Sequence, residues 1–141
     1  MASRSDLVSH LKNIELFSGL SKGELAKVAA GGSERSFGAG TTIVEQGDMG
    51  RTAYVILEGT AVVRRGNRKV ATLGVGAPVG ELSLLDKGPR TAYVVADTDV
   101  IALELGAKEF ASVLQEYPKV SVKLLATLAG RVRDLDRKVF G

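Results

Sequence analysis

Gly80-Glu81-Leu82-Ser83-Leu84-Leu85-Asp86-Lys87-Gly88-Pro89-Arg90-Thr91-Ala92 is the stretch from which the organisation of this 141-residue chain can be read. It sits between glycine-punctuated strand patterns, yet reads as one short helical turn followed by a loop. A strand-rich domain has no structural need for such an interruption. The stretch holds one carboxylate, Glu81, and one guanidinium, Arg90, nine residues apart. Unpaired amides at the start of the turn add a place for an anion. These residues predict a pocket for a small phosphorylated ligand.

On either side of it the texture is β. Eleven of the 17 glycines fall between Gly38 and Gly106, separating short β-branched runs. Strands are expected at Thr41–Glu45, Ala53–Leu57, Thr60–Arg65, Lys69–Leu73, Thr91–Ala96 and Val100–Leu105. Gly66-Asn67 reads as a two-residue hairpin loop. Gly47-Asp48-Met49-Gly50, Glu58-Gly59 and Asp97-Thr98-Asp99 read as further turns. Many short, evenly spaced strands imply a small antiparallel β-barrel or jelly roll. The fold class expected is therefore α+β, mainly β: a barrel over residues 33–106 carrying the 80–92 stretch, with helices at both ends.

At the N-terminal end, residues 1–32 supply helices. Ser3 with Asp6 resembles a capping box, and Leu7, Leu11 and Ile14 keep helical spacing. Ser21 with Glu24 is a better capping box, with Leu20 and Leu25 as its staple. That helix is expected to stop at Gly31-Gly32 in a left-handed turn. His10, the one histidine, reads as a structural residue of the first helix.

At the other end, residues 107–141 return to helix. Phe110, Val113, Leu114 and Tyr117 mark one amphipathic segment, and Pro118 begins the next at its permitted first turn. Ser121, Leu125, Leu128, Val132, Leu135 and Val139 follow steps of 4, 3, 4, 3 and 4. Such a short heptad seam allows two outcomes, packing on the chain's own barrel or pairing with a second copy. Asp134 and Lys138 stand at a favourable i, i+4 spacing.

Composition narrows the functions. The chain is long enough to bury a core as a single domain over residues 1–141. No apolar run approaches membrane-spanning length and no signal-peptide core is present, so membrane insertion and export are not expected and a cytoplasmic setting is. With no cysteine and one histidine, thiolate and histidine-cluster metal sites are ruled out and a Ser-His-Asp triad is not expected. A metal-dependent enzyme on a cupin-like jelly roll is set aside on that ground, and no cofactor is expected. The net charge of +3 resides in residues 107–141, with seven basic and four acidic side chains, since residues 1–106 balance at twelve each. Nucleic acid is not expected as a partner. Arg64, Arg65, Arg68 and Lys69 around the hairpin loop read as a solvated edge tip, where charge also discourages aggregation.

A cyclic nucleoside monophosphate offers one permanent negative charge, a free ribose 2′-hydroxyl and a flat base. A guanidinium suits the phosphate, a carboxylate suits the hydroxyl, and a helix start favours the anion. Glu81, the turn at Leu82–Leu85 and Arg90 supply these in order. Taken singly, Glu81 could merely favour a helix start, and Arg90 could be a strand-end cation. Their combination in a break in the barrel favours recognition.

The stretch also closely resembles the phosphate-binding cassette of cyclic nucleotide-binding domains, of the catabolite-activator and protein-kinase regulatory-subunit type. In that family the pattern is Phe-Gly-Glu, a small apolar helical turn, then Pro-Arg, a small residue and Ala. Here it reads Val79-Gly80-Glu81-Leu82-Ser83-Leu84-Leu85 and Pro89-Arg90-Thr91-Ala92. Gly40, Gln46-Gly47-Asp48 and Tyr54-Val55-Ile56-Leu57-Glu58-Gly59 are similar to the family's barrel landmarks, so the resemblance covers essentially the whole chain. It implies that Glu81 accepts from the ribose 2′-hydroxyl and Arg90 clamps the phosphate. It further implies that Gly80, Leu82 and Ser83 give close backbone approach and amides, with Thr91 and Ala92 lining the phosphate's other side. Val79 departs from the frequent Phe, and Arg51 from a frequent acid. Thr91 suits either base, with cAMP favoured over cGMP.

The resemblance implies a ligand sensor rather than an enzyme, signalling through its C-terminal helices to an effector protein or a missing output domain, with a homodimer through the C-terminal helix possible. The alternative is a fragment of a DNA-binding transcriptional regulator of the catabolite-activator type, which would need a helix-turn-helix beyond the long C-terminal helix.

Overall fold

The computed structural model describes residues 4–140. Two helices open it, α1 (Arg4–Lys12) and α2 (Lys22–Gly31), joined through a 3₁₀ turn at Glu15–Phe17. Ser3, expected to cap α1, lies outside the described residues. The cap of α2 forms as its residue types require. The Ser21 hydroxyl accepts from the Glu24 amide at 3.2 Å, and the Glu24 carboxylate accepts from the Ser21 amide at 2.9 Å. Its end differs from expectation: Gly31 is still helical and Gly32 is extended rather than left-handed. A Cβ on Gly32 would stand 2.6 Å from Leu103 Cδ1, so close packing on the sheet, not turn conformation, explains that glycine.

Eight strands follow, β1 (Ser33–Phe37), β2 (Thr42–Val44), β3 (Thr52–Glu58), β4 (Ala61–Arg65), β5 (Arg68–Leu73), β6 (Pro78–Val79), β7 (Tyr93–Ala96) and β8 (Val100–Gly106). They form two antiparallel four-stranded sheets, ordered β1-β8-β3-β6 and β2-β7-β4-β5, which together make the barrel expected. Two strands had no expectation. In Ser33-Glu34-Arg35-Ser36-Phe37 only Phe37 is buried, so an exposed edge strand carries almost no apolar signal, and β6 is two residues long.

β3 and β8 are covered on both faces, which accounts for the unbroken apolar run Ala53–Leu57. Tyr54, Ile56, Val100 and Ala102 point into the barrel core with Phe37, Val44, Val79 and Val94. Ala53, Val55, Leu57, Leu103 and Leu105 point outward into a second core. That core is closed by Leu11, Ile14, Phe17, Leu25 and Val28 from the N-terminal segment and by Phe110, Val113, Tyr117, Val120 and Leu124 from the C-terminal one. His10 of α1 lies 3.1 Å from Glu58, in the structural role expected.

Between β6 and β7 lies the short helix α3 (Glu81–Asp86), and the chain ends in α4 (Ala107–Glu116) and α5 (Pro118–Phe140). The inner face of α5 carries Val120 and Leu124, both buried, then half-buried Leu128 and Arg131. The heptad seam coincides with that face only in part. Leu128 packs against the core and Ser121 is half-buried, whereas Leu125, Val132, Leu135 and Val139 are exposed, so most of the seam does not pack on the chain's own barrel. The Asp134–Lys138 pair does not form either. Asp134 sits 3.8 Å from Arg137, and the Lys138 ammonium donates to the Val70 carbonyl at 2.9 Å.

Candidate functional site

All seven residues singled out from the sequence (Gly80, Glu81, Leu82, Ser83, Arg90, Thr91 and Ala92) line one cleft, partly open to solvent. Its apolar wall is Val44, Val63, Leu73, Val79 and Val94, from five different strands. Glu81, Ser83 and Arg90 are the buried polar side chains among the described residues. Leu82 and Thr91 face solvent, and Ala92 is buried.

The backbone around Arg90 is tied down from outside the 80–92 stretch. The Arg90 amide donates to the Asp48 carbonyl at 2.7 Å, and the Gly47 amide donates to the Arg90 carbonyl at 2.9 Å. The turn after β2 therefore sets where the guanidinium starts. Its head then lies between two glycines. A Cβ on Gly80 would fall 2.1 Å from Arg90 Nη1, and one on Gly50 would fall 2.5 Å from Arg90 Cζ. Gly80 also has φ +78°, a conformation that side chains disfavour. Of these two, Gly50 was not legible as a site residue.

Arg90 is hydrogen-bonded within the protein. Nη1 donates to the Gly80 carbonyl at 2.6 Å, and Nη2 donates to the Thr52 carbonyl at 2.9 Å and its hydroxyl at 3.4 Å. A guanidinium has five N–H donors, so the Nε–H and one Nη1–H have no protein acceptor among the described residues. Burial lowers the pKa of Arg90, opposed by Tyr54, Glu81 and Asp48. The ordinary value lies so far above neutrality that the group stays charged.

Glu81, 2% exposed, is held by a residue that sequence reasoning missed. Arg131 of α5 donates from Nη1 to Glu81 Oε1 at 2.6 Å and from Nη2 to the Pro78 carbonyl at 2.8 Å. Burial raises the Glu81 pKa above the ordinary carboxylate range, and the Arg131 guanidinium opposes that shift. The sequence held no sufficient signal for Arg131. Positions 120, 124, 128 and 131 share helical spacing, but only the fold shows that this side of α5 faces the barrel, where a cation requires an acceptor.

The arrangement is one for recognition: a buried carboxylate and a guanidinium with spare donors, on one side of an apolar cleft, with a helix reaching the carboxylate.

The family model described as "Cyclic nucleotide-binding domain" matches residues 34–117. The cyclic AMP receptor protein of Thermus thermophilus is 34% identical over 131 residues, covering 89% of this chain and 61% of that one. The cAMP-dependent protein kinase regulatory subunit of Candida albicans is 36% identical over 110 residues, covering 78% of this chain and 24% of that one. Among solved structures, the regulatory domain of Toxoplasma gondii PKA co-crystallised with cAMP superposes with a TM-score of 0.76 at 30% identity, covering 91% of this chain and 50% of that one. The chain thus spans less than two thirds of the length of these curated relatives. No helix among the described residues is long and apolar enough to cross a membrane.

Proposed function

The chain belongs to the cyclic nucleotide-binding domain family, and from that premise we propose that it is a sensor that binds cAMP in preference to cGMP and signals through its C-terminal helices. The observation that carries cyclic nucleotide binding is the joint burial of Glu81 and Arg90 on one cleft, each with capacity for a ligand. The preference for cAMP is supported by the similar proteins named for cAMP. Arg90 offers its Nε–H and one Nη1–H to the phosphate, and Glu81 accepts from the ribose 2′-hydroxyl. Ser83 and the backbone of Gly80 and Leu82 approach the phosphate, Thr91 and Ala92 line its far side, and the base lies along the valine wall. The nucleotide is a reversible ligand, and neither cofactor nor metal is called for. A cytoplasmic setting suits a chain without cysteine.

Output follows from the same carboxylate. Glu81 binds the ligand and Arg131 together, so occupancy alters what α5 is held by. Leu84 and Leu85 repack, and the segment from Phe110 onward moves to cover the base. The ligand must bind the covered state more tightly for this to occur. The recipient is an effector protein or a further domain. The exposed stripe Leu125, Val132, Leu135 and Val139 pairs with the same stripe of a second copy.

Calorimetric titration with cAMP and cGMP in parallel tests the binding reading: one site per chain with cAMP the tighter is expected, and heat from neither ligand overturns it. For the output reading, amide shifts are expected beyond residue 107 on titration. Shifts confined to residues 80–92 would count decisively against it.

A further inference from the structure

The strongest feature outside the cleft is the tip of the β4–β5 hairpin. Arg64 stands opposite Lys69 and Arg65 opposite Arg68, so two successive cross-strand pairs are like-charged, an arrangement that destabilises a sheet. All four side chains are exposed, and among the described residues none has an ion-pair or hydrogen-bonded partner. Among the described residues no carboxylate comes within ion-pair distance of them. Gln46, at the end of the neighbouring segment, uses its side chain to accept from the Gly66 amide. A fold that tolerates this repulsion without an internal counter-charge leaves its cations for something outside.

Directly opposite residues share a face of the sheet, and successive residues alternate. One face of the tip therefore carries Arg64 and Lys69, and the other carries Arg65 and Arg68. A flat membrane surface meets one face at a time. A duplex would likewise meet two cations per face, few for an interaction that depends on neutralising many phosphates. An extended polypeptide is different, because a strand added to an edge directs its side chains alternately to both faces. The edge for it exists. β5 is the terminal strand of its sheet and contains no proline. Its one irregularity is Val70, the extra residue in the register shift of the β4–β5 pairing, where an added strand has to follow the bend. The Val70 carbonyl already takes a donor from outside the sheet, the Lys138 ammonium.

We propose that the open edge of β5, with cations on both faces of its hairpin tip, docks an extended acidic segment of a partner protein as an added strand. Main-chain hydrogen bonds to the edge hold the segment, and consecutive carboxylates select it by meeting the cations of each face. Lys138 gives way as the strand pairs with Val70. Because Val63 and Leu73 of the same hairpin line the cleft, the docked segment lies beside the nucleotide site without using its residues.

The test uses the full chain and a fluorescein-labelled peptide carrying a run of glutamates between valine–threonine pairs, followed by anisotropy. Saturable binding is expected at moderate ionic strength. Arg68→Glu combined with Lys69→Glu should weaken it roughly tenfold, the sum of two exposed charge pairs, with nucleotide affinity unchanged. The same peptide N-methylated at alternate amides should bind at least as weakly, since it cannot donate to the edge. No binding of the parent peptide overturns the proposal, as does full affinity for the N-methylated form. Tighter binding of phosphatidylserine vesicles or of a duplex oligonucleotide than of the peptide also overturns it. Failure of cAMP to bind would leave these outcomes readable, because none of them depends on the cleft.

Discussion

Arg131 Nη1 stands 2.6 Å from Glu81 Oε1, although the two residues are 50 positions apart and one belongs to the long terminal helix. Glu81 is almost completely buried while the Arg131 side chain keeps a third of its exposure, so the carboxylate depends on the arginine more than the reverse. Removing Arg131 leaves a buried carboxylate with its principal charge partner gone. Arg131→Ala should lower the unfolding free energy by about 1–3 kcal/mol, less than for a fully buried pair because Arg131 is partly solvated. Urea denaturation without ligand checks this, and an unchanged midpoint would show the ion pair to be energetically idle.

The clamp gives a second prediction. Arg90→Ala should weaken cyclic nucleotide binding by roughly 2–5 kcal/mol, on the scale for truncating one partner of a buried charged contact. Wild-type-like affinity in calorimetry would remove Arg90 from the phosphate.

Gly50 separates position from presence. Its backbone is not in the left-handed region, so Gly50→Ala strains nothing locally. The added Cβ would nevertheless fall 2.5 Å from Arg90 Cζ. The guanidinium must shift while remaining charged. Overpacking of this kind typically costs about 1–3 kcal/mol, and we expect it mainly as lost nucleotide affinity, roughly tenfold or more, in a chain that still folds. Unaltered affinity would mean that the resting position of Arg90 is not the binding position.

Legibility in the sequence followed burial and sequence distance. Glu81 and Arg90 could be read because they lie in one short break between strands, and β3 because five apolar residues in a row need two covered faces. β1 could not, since exposed Ser33, Arg35 and Ser36 look like a loop until Arg35 is seen 2.8 Å from Glu104 on β8. Arg131, Gly50 and Thr52 reach the site through tertiary contacts with no local motif. The α5 stripe was legible as apolar periodicity, but only the fold shows that the face meeting the protein's own core is centred on Val120 and Leu124 and shares just Leu128 with that stripe.

That exposed stripe carries a prediction about assembly. Val132→Glu places a charge at the centre of Leu125, Val132, Leu135 and Val139 without touching the buried face of α5. If the stripe pairs two copies, sedimentation should show wild-type dimers and Val132→Glu monomers of unchanged thermal stability per chain at high dilution. A wild-type chain that stays monomeric at high concentration would refute the pairing.

The raised pKa of Glu81 fixes the direction of a pH effect. Because burial lifts this carboxyl above its ordinary range, the folded chain holds the Glu81 proton more tightly than the unfolded chain does. Stability from this group is therefore complete below the ordinary carboxylate range and is lost as pH rises through the raised value. Glu81→Gln has no such titration. The stability of the wild type relative to Glu81→Gln should fall with rising pH across that window and level off above it. Ligand binding should run the other way, since a 2′-hydroxyl donates best to the ionised carboxylate. Affinity for cAMP should rise through the same window, whereas 2′-deoxy-cAMP, lacking the donor, should bind about ten- to a hundredfold more weakly at neutral pH, the scale of a hydrogen bond to a charged group, and show a flatter pH profile. Parallel profiles for the two ligands would place the ribose hydroxyl elsewhere and leave Glu81 to Arg131 alone.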